Sequence, residues 1–175
     1  MVYDIAVIGA GPAGLAAAIN ARRRNKQTVL IGKEESSSKL IQAHQIDNYP
    51  GLPKIGGAVL AKAMLDQAKD NGVMIVKDEI QSIDGKAAEY DLYGREQAFR
   101  ALSVILATGI NLGAEIEGES GLAGKGVSYC ATCDGMFFKS KPVALIGYIR
   151  EAETEAGFLA EICSRVYYPQ RSFII

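Results

Sequence analysis

The opening of the chain restricts its fold more than any other segment. Val2 to Ile8 is almost wholly apolar apart from Asp4, and it runs straight into Gly9-Ala10-Gly11-Pro12-Ala13-Gly14 and then the alanine-rich stretch Leu15 to Ala21. An apolar run of this kind reads as a strand buried on both faces of a parallel sheet. The alanine-rich stretch reads as a helix, and Pro12 is tolerated in its first turn, where an amide has no intrahelical partner. After the polar run Arg22 to Gln27, Thr28-Val29-Leu30-Ile31 supplies a second strand and completes a β-α-β unit. Glycines at this spacing between strand and helix form a dinucleotide fingerprint in its required context. Gly9 makes the tight turn, Gly11 lets a ligand approach the backbone, and Gly14 lets helix and strand pack closely. A pyrophosphate would accept hydrogen bonds from the free amides of the helix N-terminus, so Gly9, Gly11, Pro12, Ala13 and Gly14 form the candidate binding loop. A glycine turn that binds nothing is the plain alternative, and the flanking elements argue against it. The acid expected at the end of the second strand for the ribose comes late: Ile31 is followed by Gly32 and Lys33, and only then by Glu34 and Glu35. Glu34 is the candidate for that contact.

The 175 residues are enough for one domain, or one plus part of another. With 19 Lys/Arg against 20 Asp/Glu, the net charge of −1 offers neither a nucleic-acid surface nor a polybasic membrane patch. No apolar run approaches the roughly 20 residues needed to cross a bilayer. The N-terminus lacks the basic region and apolar core of a signal peptide, so a cytoplasmic location is expected.

From Gly32 to Ile55 the chain is rich in turn formers, including Asp47-Asn48-Tyr49-Pro50-Gly51, and reads as a long covering connection. Helical periodicity returns from Ala58 to Asn71. Strand signals follow in Val73 to Val76, Glu89 to Tyr93 and Phe99 to Ala107, with turns expected at Gly85 and Gly94. These describe an antiparallel excursion that returns to the main sheet and ends at Thr108-Gly109. Gly113 to Gly126 is the candidate domain crossing. Beyond it, a strand Val143 to Ile146, a helix Glu151 to Ser164 and a strand near Val166 repeat the opening order. The expected class is therefore α/β, with domains at 1–112 and 113–175, the second incomplete because one β-α-β unit cannot supply both faces of a doubly wound sheet.

Three cysteines are too few for a secreted disulfide scaffold. Cys130 and Cys133, in Cys-Ala-Thr-Cys-Asp-Gly, can close a small disulfide ring or make half of a zinc site. Metal needs more ligands, and Cys163 and the single histidine, His44, form no second pair, so redox chemistry is the favoured reading and no metal is expected. Ordinary unpaired cysteines remain the plain alternative. Asp134 sharpens the redox reading, because thiol exchange needs protons delivered and removed.

Taken with the Gly-Ala-Gly-Pro-Ala-Gly-Leu start, the Asp47-Asn48-Tyr49-Pro50-Gly51 loop and Ala107-Thr108-Gly109, this string resembles the low-molecular-weight bacterial thioredoxin reductases from Val2 to about Val166. The resemblance implies two Rossmann-like folds of the FAD/NAD(P)-linked disulfide reductase type. The first would bind FAD, the second would bind NADPH and carry the redox pair, and thioredoxin would receive the electrons. By matching position, Cys133 would face the flavin and Cys130 would attack the thioredoxin disulfide, with Asp134 as acid/base. Gly9, Gly11 and Gly14 would hold the FAD pyrophosphate, Asn48 would lie near the flavin, and Thr108 and Gly109 would shape the cofactor-side turn. The family forms homodimers, and its flavin fold resumes after the second domain, whereas this sequence stops before that return. His44, in the covering loop, is read as a solvent-facing side chain.

The second glycine loop departs from the family. Where NADPH-dependent members resemble Gly-x-Gly-x-x-Ala, this chain has Gly147-Tyr148-Ile149-Arg150-Glu151-Ala152. Ile149 would crowd a pyrophosphate, and Glu151, Glu153 and Glu155 repel an anion at the helix start. The arginine pair for the extra phosphate is reduced to Gln170-Arg171-Ser172. A branch that resembles thioredoxin reductase with an altered pyridine-nucleotide site takes electrons from ferredoxin, which is the donor expected here. The alternatives are an NADPH-dependent thioredoxin reductase or peroxide-system flavoprotein, and a noncatalytic FAD-binding redox sensor.

Overall fold

A computed structural model describes residues 1–32, 40–41, 43–86, 88–109, 116–122, 124–147 and 150–169. They divide into two compact units, Met1–Gln45 with Lys54–Glu115, and Ile46–Pro53 with Ile116–Ile175. The fold is α/β, as expected. Among the described residues, no helix is long and apolar enough to cross a membrane.

In the first unit, strand β1 (Val2–Ile8) leads through the glycine turn to helix α1 (Pro12–Arg23) and strand β2 (Thr28–Gly32). Helix α2 (Gly57–Asp70) precedes β3 (Met74–Lys77), β4 (Ile80–Lys86), β5 (Glu89–Gly94) and β6 (Ala98–Leu106). The sheet order is β3-β2-β1-β6-β5-β4. β1 pairs in parallel with β2 and with β6, and β3 joins the far side of β2 in parallel. β6 serves two neighbours. Its first residues pair antiparallel with β5, and from Arg100 onward it pairs in parallel with β1, which is the return of the excursion to the main sheet.

Hydrophobic burial holds this unit together. Val7, Leu15, Val29, Leu30, Ile31 and Leu92 are fully buried, and each such side chain contributes roughly 1.5–3 kcal/mol. Ala6, Ile8, Val29 and Ile31 share one cluster with Leu92, Phe99 and Ala101 from the excursion. The excursion therefore packs as part of the core.

One expectation fails inside it. Gly85, expected at a turn, lies within β4 and pairs with Tyr90. β4 itself escaped notice because Ile80-Gln81-Ser82-Ile83-Asp84-Gly85-Lys86 is an edge strand of mostly polar residues, with even Ile83 exposed. A strand paired on one side and wet on the other needs little β-branched content, so composition does not mark it.

Asp78, between β3 and β4, is the buried acid of this unit, 5% exposed. Its Oδ1 accepts from the backbone N–H groups of Glu79 (2.7 Å), Arg95 (2.9 Å) and Glu96 (3.2 Å), and its Oδ2 accepts from Gln97 (3.2 Å). One carboxylate thus pins the β5–β6 turn to the β3–β4 connection. Burial pushes its pKa up, but the backbone donors of Glu79, Glu96, Gln97 and Arg95 push it down further, leaving it below 3.8.

The second unit contains α3 (Glu119–Leu122), α4 (Ala131–Asp134), a 3₁₀ turn (Gly135–Phe138), β7 (Pro142–Ala144), α5 (Glu151–Ile162) and β8 (Arg165–Tyr167). β7 and β8 pair in parallel, with Val143 opposite Val166, so the expected second β-α-β unit is present. Of the expected crossing, 113–115 and Ala123 lie outside the described residues, and α3 occupies part of the remainder. Gly135 is buried against Phe158, Leu159 and Ile162, which seats the turn after the cysteines on α5.

Two consequences are open to measurement. Gly9 has φ +113°, and a Cβ there would collide with the Ala107 carbonyl, whereas Gly109 has φ +72° and open space around it. In urea denaturation, Gly9→Ala should therefore cost on the order of 3 kcal/mol or more, and Gly109→Ala only about 1 kcal/mol. Because the folded pKa of Asp78 lies below its ordinary value, its contribution is complete above pH 3.8 and is lost as pH falls through the folded pKa. Asp78→Asn should lower Tm at neutral pH and flatten the fall of Tm on acidification, as followed by circular dichroism.

Candidate functional site

In the first unit, the carboxyl ends of three parallel strands converge on the glycine turn. The Gly9 N–H donates to the Ile31 carbonyl at the end of β2 (2.7 Å), and the Ala107 N–H donates to the Ile8 carbonyl (2.8 Å). There is no room for a side chain at Gly9 beside Ala107, and none at Gly14, where a Cβ would collide with the Gly9 carbonyl. Helix α1 therefore starts directly on the turn. Its N-cap, Gly11, is extended and offers no side-chain cap, Pro12 occupies the first turn, and no acid lies there. The first amide with a helical partner is that of Leu15, bonded to the Gly11 carbonyl at 2.9 Å. The amides of Ala13 and Gly14 precede it and lie at the positive end of the helix dipole.

This is also where the sheet order reverses, with β2 on one side of β1 and β6 on the other. Ligands of open α/β sheets bind at such a point. Thr108 and Gly109, exposed, follow the end of β6 beside Gly9. Gly9, Gly11, Pro12, Ala13, Gly14, Thr108 and Gly109 are thus gathered at one end of the sheet. Their small side chains, with the amides of Ala13 and Gly14 at the helix start, suit the phosphates of a dinucleotide. Glu34, with Glu35, lies outside the described residues. His44 is exposed.

In the second unit, Cys130 and Cys133 are joined in a disulfide, with their Cα atoms 5.3 Å apart. Cys130 is the N-cap of α4, and its Sγ accepts from the Cys133 N–H at 3.2 Å. The Thr132 hydroxyl lies 3.5 Å from the same sulfur. Cys133 Sγ has a different neighbour, the side-chain amide of Asn48, at 4.0 Å. Cys133 is exposed and Cys130 half-buried. The two sulfurs are therefore not equivalent. The closer hydrogen-bond donors belong to Cys130.

Asp134 ends α4, half-buried, and accepts a 2.5 Å hydrogen bond from the Ser128 hydroxyl. Ser128 was not foreseen. It precedes the pair in Val-Ser-Tyr-Cys, where a serine carries no spacing signal, and only the turn at Tyr129 brings its hydroxyl onto Asp134. Tyr129, Met136 and Phe137, on either side of the pair in sequence, are exposed by 43%, 58% and 52%. Cys163 is a free thiol at the end of α5. No group of three metal-ligating side chains forms among the described residues.

At the second glycine loop, a Cβ on Gly147 would strike that of Ala152 and lie 3.1 Å from the Tyr168 ring. Ala152 is buried, so the close helix packing of a nucleotide fold persists. Tyr148, Ile149, Gln170, Arg171 and Ser172 lie outside the described residues. Glu155 presents a buried carboxylate oxygen with no hydrogen-bond partner among the described residues.

Comparison with known proteins agrees with this geometry. The thioredoxin reductase of Aquifex aeolicus (strain VF5) is 38% identical over 172 residues, which is 95% of this chain and 53% of that protein. Among solved structures, thioredoxin reductase from Streptococcus pyogenes MGAS5005 superposes with a TM-score of 0.86 at 31% identity, covering 98% of this chain and 56% of that one. A ferredoxin-flavin thioredoxin reductase from Clostridium acetobutylicum gives a TM-score of 0.62 at 39% identity, covering 100% of this chain and 61% of that one. The chain spans about half the length of the curated relatives it matches. Over residues 3–168 it matches the model of the pyridine nucleotide-disulphide oxidoreductases, and it belongs to that family.

Proposed function

We propose that this chain carries the cofactor-binding and dithiol-bearing parts of a flavoprotein disulfide reductase, which passes electrons through FAD to Cys130 and Cys133 and on to thioredoxin, with ferredoxin as the donor. The observation that carries the reading is the Cys130–Cys133 disulfide, with the Asp134 carboxylate tied through the Ser128 hydroxyl to the Cys130 backbone. The cofactor is FAD, as in the family to which the chain belongs. Residues 1–112 form the FAD-binding domain and 113–175 the redox domain, with Asn48 reaching the pair from the 46–53 loop.

Gly9, Gly11, Pro12, Ala13 and Gly14 would hold the FAD pyrophosphate, with Thr108 and Gly109 at the same end of the sheet, and Glu34 would take the ribose. When bound, FAD accepts electrons from the donor and supplies them in pairs for reduction of the disulfide. In the reduced pair, the Cys133 N–H and the Thr132 hydroxyl favour negative charge on Cys130, which makes Cys130 the attacking thiolate. Its sulfur bonds to one sulfur of the thioredoxin disulfide, and the other leaves as a thiolate. Cys133 then loses its proton, attacks Cys130, restores the disulfide and releases dithiol thioredoxin. Asp134 takes that proton and returns it to a departing thiolate.

The donor assignment rests on the second loop. Ile149 replaces the glycine that a pyrophosphate needs, and glutamates lead α5. The similarity to a ferredoxin-flavin thioredoxin reductase supports it. An NADPH-dependent thioredoxin reductase is the second reading, favoured by the match to the pyridine nucleotide-disulphide oxidoreductase model and by the close packing kept at Gly147 and Ala152. A cytoplasmic homodimer completes the proposal.

Anaerobic stopped-flow spectroscopy on FAD-loaded protein separates these readings. Reduced ferredoxin should bleach the flavin band rapidly and NADPH should not; the reverse result overturns the donor. Turnover with thioredoxin should fall to background in Cys130→Ser, while Cys133→Ser alters the flavin spectrum. Undiminished turnover in both variants would remove the cysteine roles.

A further inference from the structure

Ser128 has more contacts around the redox pair than its exposed position suggests. Its hydroxyl donates to Asp134 Oδ2 (2.5 Å), accepts the backbone N–H of Cys130 (3.2 Å) and lies 3.4 Å from the Cys130 carbonyl, which is a second possible acceptor for its proton. The same carbonyl accepts the backbone N–H of Asp134 at 3.1 Å. Ser128 therefore ties the Asp134 side chain to the backbone of the cysteine that caps α4.

A hydroxyl has one proton and two lone pairs. While Asp134 is ionised, the Ser128 proton points to Oδ2 and one lone pair takes the Cys130 N–H. Once Asp134 is protonated, the acid can donate to the second lone pair, and the Ser128 proton can turn to the Cys130 carbonyl. No donor is stranded in either state. A cationic support such as Lys or Arg would hold only the carboxylate, and would oppose its protonation. A group that must take a proton and then return it is served by a support that tolerates both forms.

We propose that Ser128 is a positioning residue that holds the Asp134 carboxylate against the Cys130 backbone in both of its protonation states, a role that rests on the acid/base reading of Asp134 given above. The exchange it supports is balanced. The Cys130 thiolate forms a bond to one sulfur of a disulfide R–S–S–R and expels RS⁻. The Cys133 thiol then loses its proton to Asp134, bonds to Cys130 Sγ and expels the second RS⁻. The pair is oxidised by two electrons and R–S–S–R is reduced by two; the one proton released, that of Cys133, passes by way of Asp134 to one departing RS⁻, and the other RS⁻ leaves as the thiolate or takes its proton from solvent.

Thiol–disulfide exchange can be measured without flavin or physiological donor. The full chain carrying Cys163→Ser, to silence the third thiol, is reduced with dithiothreitol, freed of it anaerobically, and mixed with 5,5′-dithiobis(2-nitrobenzoic acid) in a stopped-flow instrument across a range of pH. Ser128→Thr keeps the hydroxyl and Ser128→Val replaces it with a methyl of similar shape, so their difference reads the hydroxyl even if Ser128→Ala folds poorly. Ser128→Val should slow exchange on the order of tenfold and displace the midpoint of the pH profile, while Ser128→Thr restores both. Asp134→Asn should slow exchange and alter the pH profile, and adding Ser128→Val to it should change the rate less than about twofold. A normal profile in Ser128→Val, with an altered one in Asp134→Asn, overturns the positioning role alone. An equal loss from Ser128→Val with and without Asp134→Asn also overturns it. An unaltered profile in Asp134→Asn overturns the acid/base reading and the inference with it.

Discussion

At Gly9 the carboxyl ends of β1, β2 and β6 come so close that no side chain fits between them, and the rest of the first unit is arranged around that constraint. The turn hydrogen-bonds to β2 on one side, while Ala107, which follows β6, closes on Ile8 from the other. The Gly9 carbonyl then leaves no room for a Cβ at Gly14, so α1 must begin immediately and lie against the sheet. Two missing side chains thus set the direction of a twelve-residue helix. They leave its first amides uncapped at the point where the sheet order reverses, beside Thr108 and Gly109.

The second unit is governed by shorter-range forces. Cys130 acts as covalent partner, helix cap and hydrogen-bond donor at once, and each bond fixes another group: Cys133 through sulfur, α4 through its cap, and Ser128 through the Cys130 N–H. The consequence is asymmetry between two residues of the same type. One sulfur lies close to a backbone amide and a threonine hydroxyl, and the other faces the amide of Asn48 at a longer distance. Such asymmetry is what a dithiol needs if one member is to attack and the other to resolve.

Much of this architecture is legible along the chain. The apolar run at Val2 to Ile8 and the fingerprint after it specify a central strand and a close-packed helix, and both are present. Asp78 shows where such reading stops. In sequence it is one acid in Lys-Asp-Glu, indistinguishable from a solvated charge, yet it is buried because the turn at Arg95 to Gln97 folds back on it. β4 escaped for a related reason, since an edge strand with Gly85 and several polar residues obtains its pairing from Tyr90 and Leu92 rather than from its own composition.

By itself, the sequence determined the features that depend on neighbours a few residues apart: the strand-to-helix turn, the two β-α-β units, and a cysteine spacing able to close a ring. Those arise from backbone sterics and periodic burial, which operate locally. The tertiary structure alone decided which distant or unmarked groups meet them. Ala107 and Thr108 reach Gly9 because β6 pairs with β1, Asn48 approaches Cys133 across 85 positions of sequence, and Ser128 turns its hydroxyl onto Asp134. Hydrogen bonds and steric exclusion act over a few ångströms of space, and separation along the chain does not reveal which groups the folded backbone will bring that close.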